Sequence, residues 1–394
     1  MIEIDFPIFD ADNHYYETRD CFTRYIEPKY RDKAVHVVQD ANGQDRVMVG
    51  DKPFKFLTGL FFEEVVKPGK LREMLRGMGK SNQRSEGTVE PVQREYVNRD
   101  ARLAMMDKQG VQACFMFPTL AVCLEEDMKD DPEQLYANVH SFNRWVDEEW
   151  NFNCRDRIYA PPVLSLRDLD SAVQELEWVL ARGARVIALR PGPAYGRSPA
   201  DPYFDPFWAL ANEAGVTVLY HIGESGYNAM MSVHWGEKAY PTSHRQSAFQ
   251  WTNFYGDRPI MDTISALIFH NLFGRFPKLR IASVENGGYW APYLVKAMDK
   301  MGGMGRNGPW IGGRITEKPS AIFRRHVFVM PHHEEDFAGL AREIGASQVL
   351  FGSDFPHAEG MAEPRQFVDS IAELPRDEIR MIMGENARGL VAEA

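Results

Sequence analysis

Short runs of consecutive apolar residues recur along this chain, separated by longer stretches in which apolar positions repeat at helical spacing. The runs fall at 6–10, 112–117, 160–166, 186–189, 216–220, 279–284, 327–329 and 348–351. A strand that is apolar along its whole length is one buried on both faces, as in a parallel sheet covered by helices. Between the runs, the helix signal is clearest at 171–181. There Ala172, Val173, Leu176, Val179 and Leu180 share a face, Asp170 stands as a cap and Gly183 follows the end. Asp205-Pro206 opens another helix, which stops before Gly215. Eight strand candidates, most followed by a helix, predict an α/β chain that closes into a distorted (β/α)8 TIM barrel. A dinucleotide-binding sheet is the competitor, but no GxGxxG follows the first strand and no GxxxxGK[ST] occurs.

Three stretches depart from this rhythm. Residues 34–57 predict a small hairpin around Asp40-Ala41-Asn42-Gly43. Residues 58–98 lack periodicity and predict a long excursion over the barrel mouth. Residues 222–262, rich in Trp, Tyr, His and Ser, leave the run that ends at His221. Long structured loops at the C-terminal face of a barrel shape a substrate pocket. With no internal repeat and no linker, residues 1–394 read as one domain with insertions at about 34–98 and 222–262.

Composition narrows the function classes. A net charge of −11 argues against nucleic acid or an anionic membrane as partner. The basic stretch 67–84, with Lys70, Arg72, Arg76, Lys80 and Arg84 among Gly and Ser, reads as a solvated, mobile loop. Cys21, Cys114, Cys123 and Cys154 form no CxxC pair and suit reduced thiols. The start, Met1-Ile2-Glu3-Ile4-Asp5, is not that of a signal peptide, and no apolar run is as long as a membrane span. A cytoplasmic protein with a small-molecule substrate is expected.

The chemistry-bearing residues sit at the ends of the apolar runs: Asp12-Asn13-His14, His221, Glu285, and Asp354 within Gly352-Ser353-Asp354-Phe355-Pro356-His357. In a closed parallel barrel such ends converge, and carboxylates with imidazoles are ligands for a divalent cation. Asp12 and His14 are two apart, so an extended strand points both to one side. Singly, each group also has a plainer reading. Asp12 or Asp354 suits a cap, His14 or His221 a core histidine, and Glu285 a carboxylate bonded to the Gly287-Gly288 amides. Arg190, Tyr15 and His357 are the substrate-binding candidates. Arg190 suits either a two-pronged grip on a carboxylate or an ion pair with a neighbouring loop, and His357 either lines the mouth or braces its loop. Tyr16, Trp235, Trp251, Phe254 and Tyr255 favour, with Tyr15, an aromatic substrate; His332 and His333 are further contacts, and His270 is structural.

Together, Asp10-Ala11-Asp12-Asn13-His14, the segment from Phe276-Pro277-Lys278-Leu279-Arg280 to Glu285-Asn286-Gly287-Gly288, and Phe351-Gly352-Ser353-Asp354-Phe355-Pro356-His357 resemble the amidohydrolase-related family. This is the branch of the amidohydrolase superfamily that holds the aminocarboxymuconate-semialdehyde and resorcylate-type decarboxylases. The stretch 102–111 and Ile382-Met383-Gly384-Glu385-Asn386-Ala387-Arg388 are similar too. The resemblance implies one divalent metal held by Asp12, His14, His221 and Asp354, and a homodimer. The chain departs from the family pattern twice. Asp12 stands where the first histidine of His-x-His is commoner, and Glu285 where a proton-handling histidine is common. An ionised Glu285 repels a substrate carboxylate, which weakens the transfer of decarboxylase chemistry. Two imidazoles and two carboxylates suit Zn²⁺ first, with Mn²⁺ or Fe²⁺ as alternatives.

The activity expected is metal-dependent hydrolysis, in which a metal-activated water attacks a carbonyl of an aromatic or cyclic small molecule. Asp354 moves the proton, with Glu285 and His221 as further catalytic groups. The alternatives are a non-oxidative decarboxylase of an aromatic or muconate-type acid, and a barrel that keeps its metal without catalysis.

Overall fold

The apolar runs become parallel strands. The computed structural model describes residues 4–57, 62–78 and 87–392. Its parallel strands are β1 (Ile8–Tyr15), β2 (Val111–Pro118), β3 (Ile158–Tyr159), β4 (Val186–Leu189), β5 (Thr217–His221), β6 (Arg280–Val284) and β7 (Val327–Val329). One sheet runs β1-β2-β3 and another β4-β5-β6-β7. Single parallel bridges join them: Val163 to Ala188 of β4, Val349 to Val329 of β7, and Asn13 of β1 to Phe355. The protein is thus α/β with parallel pairing, but two expected strands are shorter than the apolar runs. The third is two residues, Ile158–Tyr159, just before the run expected at 160–166, within which Val163 makes the single bridge. The eighth is an irregular segment, 349–355, because Asp354 at φ 55° turns the backbone out of the extended region.

That segment still lies along β1. Ala11 N–H donates to the Phe351 carbonyl, Asp354 N–H to the Asp12 carbonyl and His14 N–H to the Phe355 carbonyl, each at 2.8 Å. On its other side Leu350 N–H donates to the Val329 carbonyl at 2.9 Å.

Strand alternation divides the core. Phe9, Ala11, Ala113, Phe115, Val186, Leu219 and Ala282 pack with Met330 and Leu350 in one cluster. The alternate residues Cys114, Met116, Ile187, Val218 and Ile281 pack against helix faces that include Leu176 and Val179. The helices carry ordinary stop and start signals. Leu169–Leu180 is capped by Asp168, whose carboxylate accepts from Ser171 N–H; Asp170, the cap expected, lies in the first turn instead. Asp205–Ala214 ends at Gly215, left-handed at φ 66°.

β1 holds an irregularity that the pattern did not reveal. Its register against β2 shifts between Asp10 and Asn13. Such a bulge puts adjacent side chains on one side, so Phe9 and Ala11 enter the inner core while Asp12 and His14 share a side beyond it. Arg102, fully buried, braces the strand from outside. It donates to the carbonyls of Glu95 and His14 at 2.7 Å each and to the Asn13 side chain, over the Phe355 ring.

In the first insertion, Val35–Gln39 and Asp45–Val49 pair antiparallel as the expected hairpin, and Glu64–Val66 pairs with Val89–Pro91. The basic stretch is not simply a loop: Leu71–Met78 is helical, while Lys80 and Arg84 lie outside the described residues. The second insertion is tied to the first where Ser243 N–H donates to the Phe56 carbonyl at 2.8 Å. Among the described residues no helix is long and apolar enough to cross a membrane, and all four cysteines are buried and free.

The Arg102 brace predicts the cost of its removal. Arg102→Met keeps apolar bulk but leaves three acceptors without their donor, so unfolding by denaturant should show a loss of about 3–5 kcal/mol. A loss below about 1 kcal/mol would mean that the brace is only packing.

Candidate metal centre

Four strand ends deliver the site. Asp12 and His14 come from β1, His221 is the last residue of β5, Glu285 follows the last residue of β6, and Asp354 lies in the segment against β1. His221 pairs in register with Val284, which sets Glu285 one residue beyond it. Glu285 and Asp354 each adopt φ 55°. Left-handed backbone costs a non-glycine residue about 1–2 kcal/mol, and here it turns both carboxylates toward the imidazoles.

The Nε2 atoms of His14 and His221 face each other at 3.2 Å. Asp12 Oδ1 lies 3.2 Å from His14 Nε2 and 3.5 Å from His221 Nε2. Glu285 Oε2 is 3.3 Å from His221 Nε2, and Asp354 Oδ1 is 3.4 Å from His14 Nε2. Ligand atoms around one ion at about 2.1 Å stand about 3.0–3.5 Å from one another, so these separations suit a shared cation. A further observation agrees. Both Asp12 carboxylate oxygens and His14 Nδ1 are buried without a hydrogen-bond partner. An orphaned buried carboxylate is costly, and a cation satisfies it. The tightest group is Asp12, His14, His221 and Glu285, with ligand atoms all within 4.8 Å of one another; Asp354 groups with His14 and His357, and again with Glu285 and Glu359. Glu285 is therefore as close to the centre as Asp354, where only Asp354 was expected as ligand.

Electrostatics point the same way. Burial holds the His14 imidazole down at about 3, so its lone pair is free of a proton at neutral pH. Burial opposes ionisation of Asp12, yet the imidazoles of His14 and His221 beside it bring it below the usual carboxylate value. Glu285 and Asp354 are pushed well above theirs by burial first, then Glu285 by Asp354, Asp12 and Glu359, and Asp354 by Glu359, Asp12 and Asp10. Acids crowded this closely call for a positive charge among them.

Supporting contacts fix the ligand atoms. His221 Nδ1 lies 2.7 Å from the Ile222 carbonyl, which orients the ring. His357 Nδ1 lies 2.8 Å from Asp354 Oδ1, and its Nε2 2.8 Å from the Thr119 hydroxyl. Both ring nitrogens being engaged, His357 braces Asp354 while one face borders the cavity. Gly352 leaves room for Asp12: a Cβ there would stand 2.6 Å from Asp12 Cβ and closer still to the Met330 sulfur.

A cavity of about 350 Å³ opens above the cluster, with His14, His221, Glu285, His357 and Glu359 at its inner end. Phe56, Leu57, Val66 and Met74 of the first insertion and Thr242, Ser243, His244, Arg245 and Tyr255 of the second line it too. Two expected substrate contacts fall elsewhere. Tyr15 is fully buried and stacks on Trp150 at 4.8 Å, because the alternation that puts Asp12 and His14 together sends it to the other side; Tyr16 lines the cavity instead. Arg190 is held by Glu126 at 2.9 Å and Glu125 at 3.7 Å, beneath the Tyr195 ring. Gly288 N–H donates to Glu335 and not to Glu285. Trp235, Trp251, Phe254, His332 and His333 do not border the cavity, and His270 bonds Ser198 at 2.7 Å, a structural contact. Glu359, Thr119, His244 and Arg245 were not foreseen; only Glu359 had a signal, its place in the loop that carries Asp354.

A parallel α/β scaffold whose strand ends gather imidazoles and carboxylates is the layout of amidohydrolases. Residues 11–391 match the amidohydrolase family model, and the chain belongs to that family of enzymes. Among solved structures it is similar to an amidohydrolase from Mycobacterium avium subsp. paratuberculosis K-10, 36% identical over 100% of this chain and 99% of that one, with a TM-score of 0.88. It is similar in fold to 5-carboxyvanillate decarboxylase LigW from Sphingomonas paucimobilis, at 21% identity and a TM-score of 0.56 over 74% of this chain and 82% of the other. It is also similar in fold to a dihydroxybenzoic acid decarboxylase from Polaromonas sp. JS666 with bound manganese and 2-nitroresorcinol, at 17% identity and a TM-score of 0.55 over 74% and 85%. No curated protein matches the chain.

Two predictions follow from this geometry. Gly352→Ala pushes on Asp12 and should lower bound metal, read by elemental analysis, well below one ion per chain while far-ultraviolet circular dichroism is retained. Glu17 is buried, accepts from the Leu120 and Ala121 amides that fix the Thr119 turn, and is raised by burial from 4.5 to about 7. Between those pH values the folded protein holds a proton that the unfolded chain has released, so stability falls as pH rises through the window. Glu17→Gln should raise the melting temperature by a few degrees at pH 8 and leave it unchanged near pH 4; a gain at both values would point to packing instead.

Proposed function

We propose that this protein is a metal-dependent hydrolase acting on a carbonyl-containing, aromatic or cyclic small molecule. The fold reading beneath it is that the eight parallel segments close into a (β/α)8 barrel, supported by the bridge between Asn13 and Phe355. The observation that carries the functional reading is the acid content of the cavity's inner end. Glu285, Asp354 and Glu359 bring carboxylate oxygens within 4.8 Å of one another beside His14. Once a bound ion draws off their protons, these acids would repel a substrate carboxylate brought to the metal, as direct decarboxylation requires, and would supply bases for a water molecule.

Asp12, His14, His221 and Asp354 are the proposed ligands, with Glu285 on the His221 side. A bound divalent ion supplies Lewis acidity toward water and carbonyl oxygen. Two imidazoles keep Zn²⁺ first, and the carboxylates keep Mn²⁺ next, the ion bound in the Polaromonas neighbour. Asp354, steadied by His357 and Thr119, accepts the proton of the attacking water and returns it to the leaving group. Glu285 holds the water from the other side. Phe56, Val66, Val122 and Tyr255 exclude solvent and receive the ring. A cytoplasmic homodimer is proposed on the family resemblance; exposed Tyr289, Tyr293 and Met304 are the apolar surface it would cover.

The second reading, a decarboxylase of an aromatic acid, draws on the decarboxylases among the structural neighbours, such as those from Sphingomonas and Polaromonas. A panel of aryl esters, amides and lactones against hydroxybenzoates and amino-muconates separates the readings. Hydrolysis should occur with the first group, without carbon dioxide release from the second. His221→Ala should lose both metal and activity, while Asp354→Asn keeps most of the metal and loses about 10²–10⁴ in kcat. Full turnover by metal-free protein, or carbon dioxide release from the acids, would overturn the hydrolase assignment.

A further inference from the structure

We infer that the substrate is an acid whose carboxylate lies remote from the reacting carbonyl and is received by His244 and Arg245. The inference deepens the hydrolase reading and rests on it for the orientation of the substrate. The cavity's liners differ in exposure and charge: His244 and Arg245 are exposed, while His14 and His221 are buried and Glu285 and Glu359 half-buried. Its acidic liners, Glu285 and Glu359, belong to the metal end, where their carboxylates meet that of Asp354. Among the described residues, its basic liners outside the metal cluster and the His357 brace are His244 and Arg245, neighbours on the short turn Ser243–Arg245 of the second insertion. Apolar walls including Leu57, Val66, Val122 and Tyr255 line the same cavity. A ligand that satisfies such a cavity has a polarised carbonyl at one end, an apolar ring in the middle and an anion at the other.

The turn is built to hold that charge in place. Ser243 is buried and its N–H donates to the Phe56 carbonyl at 2.8 Å. Arg245 N–H donates to the Thr242 carbonyl at 2.9 Å. Just beyond, buried Gln246 accepts from Asn228 at 2.8 Å, and Gln250 donates to Asn228 at 3.1 Å. The exposed Arg245 guanidinium and His244 imidazole are thus carried on an anchored backbone. Arg245 also interacts within the protein, so it enters as a positioned charge. An arginine fork suits a carboxylate, and His244 beside it adds a second donor. The chain carries a net charge of −11, so a local basic spot on it guides anions.

The test is binding, kept apart from turnover. Naphthalene-2-carboxylate and its neutral isostere naphthalene-2-carboxamide are titrated calorimetrically into metal-loaded and chelator-treated protein. The acid should bind about tenfold more tightly than the amide in both forms. The double variant His244→Gln/Arg245→Gln should abolish that preference and leave amide affinity unchanged. Equal affinities in the wild type, or a preference that survives the double variant, would overturn the inference. So would a preference that vanishes on metal removal, because the acid then sits on the ion. Failure of the hydrolase reading shows separately, as absent turnover of esters, amides and lactones by protein that still discriminates acid from amide.

Discussion

The arrangement depends on how the last segment of the chain lies along the first strand. Asp10 holds that register: its buried carboxylate accepts from Ser353 N–H at 2.9 Å, the Ser353 hydroxyl at 2.6 Å and the Asn13 side chain at 2.9 Å. Burial raises the Asp10 pKa to about 6 against the lowering effect of these bonds. A buried acid is tolerated where its oxygens are satisfied, and a shift of one residue along the ladder would leave them without donors. It would also carry Asp354 out of reach of His14, because Asp354 N–H bonds the Asp12 carbonyl. One side-chain contact between positions 343 residues apart therefore sets the spacing of the candidate ligands, and the same carboxylate accepts from Asp12 N–H at 3.2 Å.

The cluster is stable only in part on its own terms. Unpartnered oxygens on Asp12, facing imidazole nitrogens and three crowded acids raise the energy of the folded chain, as do two non-glycine residues in left-handed backbone. Strain of this sort persists where the surrounding structure enforces it. Here the enforcement is visible in the β1 contacts, the Arg102 brace and the His357 bond. The same features become favourable once a divalent ion is present, so binding metal and relieving strain are one event.

Much of this was legible from particular residues. Spacing of two along an extended run placed Asp12 beside His14, and position at strand ends singled out His221, Glu285 and Asp354. Other features were hidden for physical reasons. The bulge in β1 has no glycine or proline to mark it, and it is what lets Ala11 and Asp12 share a side. Period two itself excludes Tyr15 from the cavity in favour of Tyr16, a consequence that strand alternation after Asp12 and His14 already carries. Arg190 could not be assigned because Glu125 and Glu126 reach it from 64 or more residues away. His244 and Arg245 lie in an insertion without periodicity, where side-chain direction follows from tertiary contacts such as Ser243 to Phe56.

Those insertions change what the strand ends can do. An exposed cluster of acids and imidazoles would bind metal in bulk water, where charges are screened and attack is unselective. By meeting at Ser243 and Phe56, the two loops roof the cluster with apolar side chains and lower the effective dielectric around it. In that setting the repulsion between Glu285, Glu359 and an incoming carboxylate strengthens, and so does the attraction between a distant anion and the rim. The same electrostatic gradient therefore argues for two things at once. It turns a substrate so that its neutral, polarisable carbonyl faces the ion, and it disfavours the reversed pose that decarboxylation would need.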